Sequence, residues 1–372
     1  MIPYLLPLFF ILYGIIEYDI NKHVRGRLVL WIGIFTYFFL LIGLRYEVGG
    51  DTINYMSDYY WRGPLSSWHY SVFDKFEPGY SLLCSLGKTI SPDFYVFQLI
   101  HSFILNTALS IWIYKNTKYI FSSFLILFLT NYLYFSTEVL REVIAVIIFL
   151  FNYKNLRNHR WIRYYIGVVF SMCFHLSAII LVMMPLIVNL KFNKKYTFLL
   201  LTMIVLGVFS NKIFSILLSF PLIGEKVNGY MDIGSIGILA GGFKFLTGGL
   251  VPIIFGYIAT NKGKSEIKFE GMVAGMGLLG VLILVSPIVF GRFSNYFIIF
   301  FCVSFGTWIG TYIRSHSPVK RHNTIILASL FCLVSLVGFK LYNKYTLWVP
   351  YYSIFNKVHV NREYADKMLL KQ

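Results

Sequence analysis

LVLWIGIFTYFFLLIGLRYEVGGD, residues 28–51, decides the fold. Residues 28–44 carry no charge. At 1.5 Å per residue such a helix covers ~25 Å, close to the thickness of a bilayer's hydrocarbon core. The run ends on Arg45, and Gly49, Gly50 and Asp51 follow. The same pattern repeats outward along the chain. Of its 372 residues, 57% are hydrophobic and 13% charged. A soluble domain averages ~45–50% apolar and ~25% charged residues. The excess predicts an all-α, polytopic integral membrane protein. A transmembrane barrel would alternate apolar and polar residues instead.

Apolar runs place spans at 3–16, 28–44, 94–113, 119–136, 139–153, 197–216, 238–260, 271–289, 292–312 and 323–340. Basic clusters follow many of them: Lys22, Arg25 and Arg27; Lys115 and Lys118; Lys154, Arg157, Arg160 and Arg163; Lys262, Lys264 and Lys268; Arg314, Lys320 and Arg321. Positive loops stay cytoplasmic. All of these fall on one side, with Lys191, Lys194 and Lys195, only if 162–189 is a short hairpin that rises to His175 and returns. Each limb is then ~21 Å long, short for a full span, and such a break needs protein or water around it. The count becomes about 10–12 transmembrane helices in one membrane domain, 1–372. The segment 45–93 becomes an external loop region with balanced charge and many Tyr and Trp residues, and 217–237 and the tail 341–372 also lie outside.

Net charge is +17. The positive-inside arrangement accounts for it, so no nucleic acid is expected as a partner. Cys84, Cys173, Cys302 and Cys332 are scattered, with no CxxC pair. The N-terminus lacks the basic region and cleavage site of a cleaved signal peptide. Leu86-Gly87-Lys88-Thr89 resembles the end of a phosphate-binding loop, but Leu82 stands where the first glycine belongs. There is no HExxH and no cluster of hard oxygen ligands, so neither a metal nor a cofactor is expected. Gly271 with Gly275 and Gly306 with Gly310 have small-xxx-small spacing and mark close helix packing.

Ionisable groups at the outer ends of spans are the functional candidates, because charge there is costly. Arg45, Arg141 in TEVLREVIA and Arg292 in GRFSNYF share one depth, with His175 at the hairpin tip and Asp51 and Glu77 in the external segment. Each has a plain structural role open to it. Arg45 and Arg292 are placed to snorkel to headgroups. Arg141 has Glu138 and Glu142 as local partners. His175 sits where it can bond a carbonyl freed by a helix break. Asp51 and Glu77 suit turns or caps. Three arginines from different spans nevertheless make a set of guanidinium forks suited to phosphate oxygens.

GLRYEVGGDTINY, FEPGY, REVIA, FHLSA with Pro185 downstream, and GRFSNYF, in that order, resemble the EpsG/Wzy-type family of bacterial polysaccharide polymerases. The resemblance runs from about residue 28 to 300, and more loosely to VPYYSIF at 349–355. One departure is Glu142, where the family commonly has Gln after the arginine. The resemblance implies a glycosyltransferase of O-antigen, capsule or exopolysaccharide synthesis in the bacterial inner membrane. Its substrate would be an undecaprenyl-pyrophosphate-linked oligosaccharide, and a chain-length regulator would be its partner. Arg45, Arg141 and Arg292 would then bind pyrophosphate, and Asp51, Glu77 or His175 would serve as base or orient the acceptor. The competing readings are a lipid-linked oligosaccharide flippase and a glycosyltransferase using a lipid-phosphate sugar donor.

Overall fold

The computed structural model describes residues 2–71, 74–208, 245–261, 267–283, 286–314 and 345–360, with isolated positions at 242 and between 318 and 331. The described residues are mainly helical, and among them the one β-bridge is an isolated antiparallel pairing between Arg45 and Ser353. Among the described residues four helices are long and apolar enough to cross a membrane: Ile2–Ile20, Phe94–Asn116, Ile120–Thr137 and Val289–Ile313. The protein is an all-α polytopic membrane protein. The predicted spans 197–216 and 238–260 are described only in part, 323–340 at a few positions, and the loop 217–237 lies outside the described residues.

The chain divides into two compact units, Met1–Val182 with Ile309–Leu369, and Met183–Trp308 with Leu370–Gln372. The first unit is built on α1 (Ile2–Gly14, continued as a π-helix to Ile20), α2 (Arg27–Gly43), α3 (Thr52–Trp61), α4 (Pro78–Ile90) and α5 (Phe94–Asn116). Next come α6 (Ile120–Leu127), α7 (Leu133–Thr137), α8 (Leu140–Arg157) and α9 (Trp161–Met172). A π-turn, Phe128–Tyr132, joins α6 to α7 into one span. The helices α2 and α5 pack closely because Gly43 lets Leu99 approach; a Cβ on Gly43 would meet Leu99 Cδ1 at 2.6 Å. Polar ties run down the same seam. Ser102 Oγ donates to Phe39 O (2.9 Å), and Gln98 Nε2 donates to Gly43 O and Arg45 O (2.8 Å each). Between apolar helices such bonds and small residues supply the association that lipid cannot.

The break at 173–175 is a reversal. Tyr164, near the start of α9, donates from its hydroxyl to Leu181 O at 2.5 Å. In a continuous helix those residues would stand ~25 Å apart. The return limb is a 3-10 turn, Leu176–Met183, leading to α10 (Met184–Ile187). The predicted hairpin is therefore present.

Within the segment 45–93, expected as an external loop region, two stretches are helices, α3 and α4. Their buried faces are aromatic, with Tyr55, Tyr59 and Tyr80 inside and Trp61 almost fully exposed.

The second unit contains α10, α11 (Lys194–Val208), α12 (Val251–Asn261), α13 (Glu270–Leu282) and the greater part of α14 (Pro287–Ile313). The span expected at 271–289 stops at Leu282, because Pro287 opens a new helix and suits a first-turn position. Glycines line α13 where it meets its neighbours. A Cβ at Gly280 would lie 2.1 Å from Gly249 Cα, and one at Gly271 2.2 Å from Val188 O. Gly275 meets Ile187 and Phe297 in the same way. Gly310, in the first unit, packs on the ring of Tyr119.

Candidate active site

The turn after α2 is made by its glycines. Gly49 has φ +110°, where an L side chain is strained, and a Cβ there would meet Thr137 Cβ at 2.9 Å and Glu138 Oε1 at 3.1 Å. The close approach brings backbone N–H groups onto a carboxylate. Asp51 N donates to Glu138 Oε2 at 3.1 Å, and Thr137 Oγ1 donates to Glu138 Oε1 at 3.0 Å. Gly50 N–H bonds the same carboxylate. Glu138 is buried at the junction of α7 and α8, and burial, with Asp51 nearby, pushes its pKa above the ordinary carboxylate value.

Arg45 belongs to the same knot. It is 1% exposed, and its guanidinium points inward: Nη1 donates to Ile42 O (2.6 Å) and Nε to Val48 O (3.1 Å). Its Nη2 is buried with no hydrogen-bond partner. Burial pushes the Arg45 pKa down to about 10, and the charge of Glu138 opposes that shift. Ile42 O belongs to the last turn of α2 and Val48 O to the turn that follows, so Arg45 pins that turn to the end of α2.

The knot is closed by a segment remote in sequence. Tyr46 N donates to Tyr352 O (2.8 Å), Ile354 N to Leu44 O (2.9 Å) and Gly49 N to Leu347 O (3.0 Å). Trp348 Nε1 donates to Thr137 Oγ1 at 2.8 Å. The described part of the predicted external tail thus pairs with residues 44–49.

Beside this scaffold lies an ion pair open to the surroundings. Arg141, in the first turn of α8, donates from Nη1 to Glu77 Oε2, and the side chains are 17% and 22% exposed. The Arg141 guanidinium lies 4.1 Å from the ring centroid of Phe76. Glu77 is the N-cap of α4, but its carboxylate does not cap that helix; Oε1 accepts instead from Leu176 N (3.2 Å) at the hairpin tip. Pro78 suits the first turn of α4. Gly79 lets the chain touch the hairpin, donating from its N to Cys173 O at 2.7 Å. Tyr55 links the scaffold to the pair, donating to the backbone carbonyl of Glu138 (3.1 Å) and bonding the Arg141 side chain. Burial raises the Tyr55 pKa, so the phenol stays protonated.

His175 is buried at the same tip. Ser177 N donates to its Nδ1 at 3.1 Å, so Nδ1 is an acceptor and the neutral ring carries its proton on Nε2. Asp51 is exposed at the N-cap of α3. The first unit therefore brings together Arg45, Asp51, Glu77, Arg141 and His175. Arg292 lies on α14 in the second unit and is half-buried.

The local partners expected for Arg141 are replaced by Glu77, across α4. Glu138 and Tyr55 are site residues that the sequence reading did not select. An acidic residue at the end of an apolar span, in STEVLRE, was the available signal for Glu138. Among the described residues no three His, Cys, Asp or Glu side chains converge as metal ligands would.

Apolar helices long enough to cross a membrane, with a half-buried arginine–carboxylate pair beside a braced turn, define an integral membrane protein with a charged site. The chain belongs to the EpsG family, whose profile matches residues 28–353. Membership supports a membrane-embedded polysaccharide polymerase of the Wzy type, a glycosyltransferase in general terms. No curated protein and no solved structure matches the chain.

Proposed function

We propose that the protein lengthens a glycan at the outer face of the bacterial inner membrane. The growing chain leaves undecaprenyl pyrophosphate and joins a hydroxyl of the next undecaprenyl-pyrophosphate-linked repeat unit. The observation that carries this reading is the Arg141–Glu77 pair: a guanidinium and a carboxylate, both accessible, held by three separate elements in a member of the EpsG family.

The pair supplies both halves of the chemistry. The incoming pyrophosphate competes with Glu77 for Arg141, and a guanidinium fork suits its oxygens. As the anomeric C–O bond breaks, negative charge grows on the departing diphosphate and Arg141 stabilises it. Glu77, released from Arg141, accepts the proton of the acceptor hydroxyl as that oxygen bonds to the anomeric carbon. His175 donates from Nε2 and orients the sugar, and Asp51 binds acceptor hydroxyls at the rim. Arg45 acts from inside, shaping the turn and adding positive field without contact. Arg292 is assigned to pyrophosphate binding by residue type alone, a guanidinium fork matching phosphate oxygens. The bilayer presents both lipid substrates, and a chain-length regulator is the expected protein partner by family analogy.

The test is a gel of surface glycan from a deletion strain carrying the wild-type gene, Arg141→Ala or an empty vector. The wild type should give a ladder, and the other two a single capped repeat unit. Loss of the unit itself would mark a flippase or an earlier transferase. A full ladder from Arg141→Ala at normal protein level would remove Arg141 from the mechanism.

A further inference from the structure

A second charged feature stands at the other end of α2, beyond its first residue, Arg27. The first unit contains a cavity of ≈ 690 Å³ lined by Lys22, Arg314, Arg321, His322 and Asn21, with apolar residues completing the wall. Among the described residues none that lines it is acidic. The positive-inside arrangement puts this end on the cytoplasmic side.

Two helices end here, the π-helical extension of α1 at Ile20 and α14 at Ile313. Their terminal carbonyls carry partial negative charge, which draws cations. Arg314 meets that demand: Nη2 donates to Tyr18 O (3.2 Å) and the guanidinium lies 4.8 Å from the Tyr119 ring centroid. Its Nε is buried with no hydrogen-bond partner. The nearby carboxylate, Asp19, is fully buried, and its Oδ2 is held by Ser122 N (2.7 Å) and Oγ (2.8 Å). Lys22 and Arg321 are exposed at the cavity, and among the described residues neither has an ion-pair partner. Lys22 is held at φ 65°, a conformation rare outside glycine. Cations in excess of what the helix ends require, gathered around a cavity between helix ends, make an anion site.

We infer that this cavity binds a phosphate group, as carried by an anionic phospholipid of the inner leaflet. The ligand chemistry is a phosphodiester or phosphomonoester, held by Lys22 and Arg321 at the mouth and Arg314 at the base. The site is independent of the polymerase reading, because it uses none of those residues.

Native mass spectrometry of the purified full chain, with phosphatidylglycerol or phosphatidylcholine added, tests the lipid source. Calorimetry with inorganic phosphate, on protein in phosphatidylcholine nanodiscs, tests a soluble source. Each surface charge contributes about fivefold to anionic-lipid binding, so Lys22→Gln with Arg321→Gln should lower phosphatidylglycerol retention roughly 25-fold, to the phosphatidylcholine level. Lys191→Gln with Lys194→Gln, which removes two charges outside the cavity, should leave it unchanged. Phosphate binding lost in the cavity variant, without a phosphatidylglycerol preference, would keep the site and assign it a soluble ligand. Equal binding of both probes by wild type and the cavity variant, or an equal loss in the control variant, overturns the proposal. Should the double variant melt early, the single variants Lys22→Gln and Arg321→Gln, both at exposed positions, decide the question at about fivefold each.

Discussion

Truncating Glu77 and Arg141 singly and together separates a strut from a reacting pair. With side chains 17% and 22% exposed, the pair lies between two measured regimes. Exposed pairs contribute ~0–1 kcal/mol, whereas removing one partner of a fully buried pair costs ~3–5 kcal/mol. Each single alanine variant should therefore lose about 1–3 kcal/mol of stability. Arg141→Ala also loses its stacking on Phe76 at 4.1 Å, worth ~0.5–2 kcal/mol. Glu77→Ala leaves Leu176 N without its carboxylate, a further ~1 kcal/mol. In the double variant no charge is stranded, so its loss should fall short of the sum of the single losses by about 1–2 kcal/mol. Polymerisation should behave differently. Loss of one donor to a developing oxyanion lowers a rate by ~10²–10³-fold, and restoring charge balance does not return that donor. Thermal unfolding in detergent reads the first quantity; extended glycan per amount of protein reads the second. Should the double variant recover both stability and a near wild-type ladder, the pair is only a strut and the proposed chemistry is wrong.

Three further outcomes follow from the scaffold. Gly49→Ala should destabilise by about 2–5 kcal/mol, from the left-handed backbone and the crowding against Thr137 together; a loss below ~0.5 kcal/mol on thermal unfolding would refute the tight turn. Glu138 is raised above its ordinary 4.5, so the stability it contributes is present below that value and is lost as pH rises through its folded value. The slope of melting midpoint against pH over that window should flatten in Glu138→Gln, and identical slopes would exclude the effect. Arg62 ties Asp58 (2.6 Å), Asp74 (3.4 Å) and Ser81 together at 11% side-chain exposure. Arg62→Ala should speed tryptic cleavage at Lys75 about tenfold by loosening the segment before α4, and an unchanged rate would show that the aromatic packing holds it without the arginine.

The spans were legible because a bilayer demands long uncharged runs, and 28–44 meets that demand within a residue of α2. The reversal at 173–175 was legible from charge, since only a hairpin put every basic loop on one side. The helices α3 and α4 were not. Their charges balance and their Tyr and Trp residues suit a membrane belt as well as a helix face, so composition did not distinguish them from loop. The residues of the site were legible as a set of ionisable groups, but their pairing was not. Arg141 has carboxylates at 138 and 142, yet it bonds Glu77, because Glu138 is already held by the backbone of 50–51. Arg45 reads as a surface charge until its acceptors are seen to be the carbonyls of Ile42, in the last turn of α2, and Val48, in the turn after it. Long-range contacts of this kind leave no periodic trace.

The pairing of residues 44–49 with 347–354 also sets an order of assembly. The turn bearing Arg45 and Gly49 leaves the ribosome early, but its second edge is made some three hundred residues later. Until then Tyr46, Gly49 and Thr137 lack the partners they have in the finished fold. An incompletely synthesised chain therefore carries an unfinished turn into the membrane, and the turn is braced on both edges only once the late segment has docked.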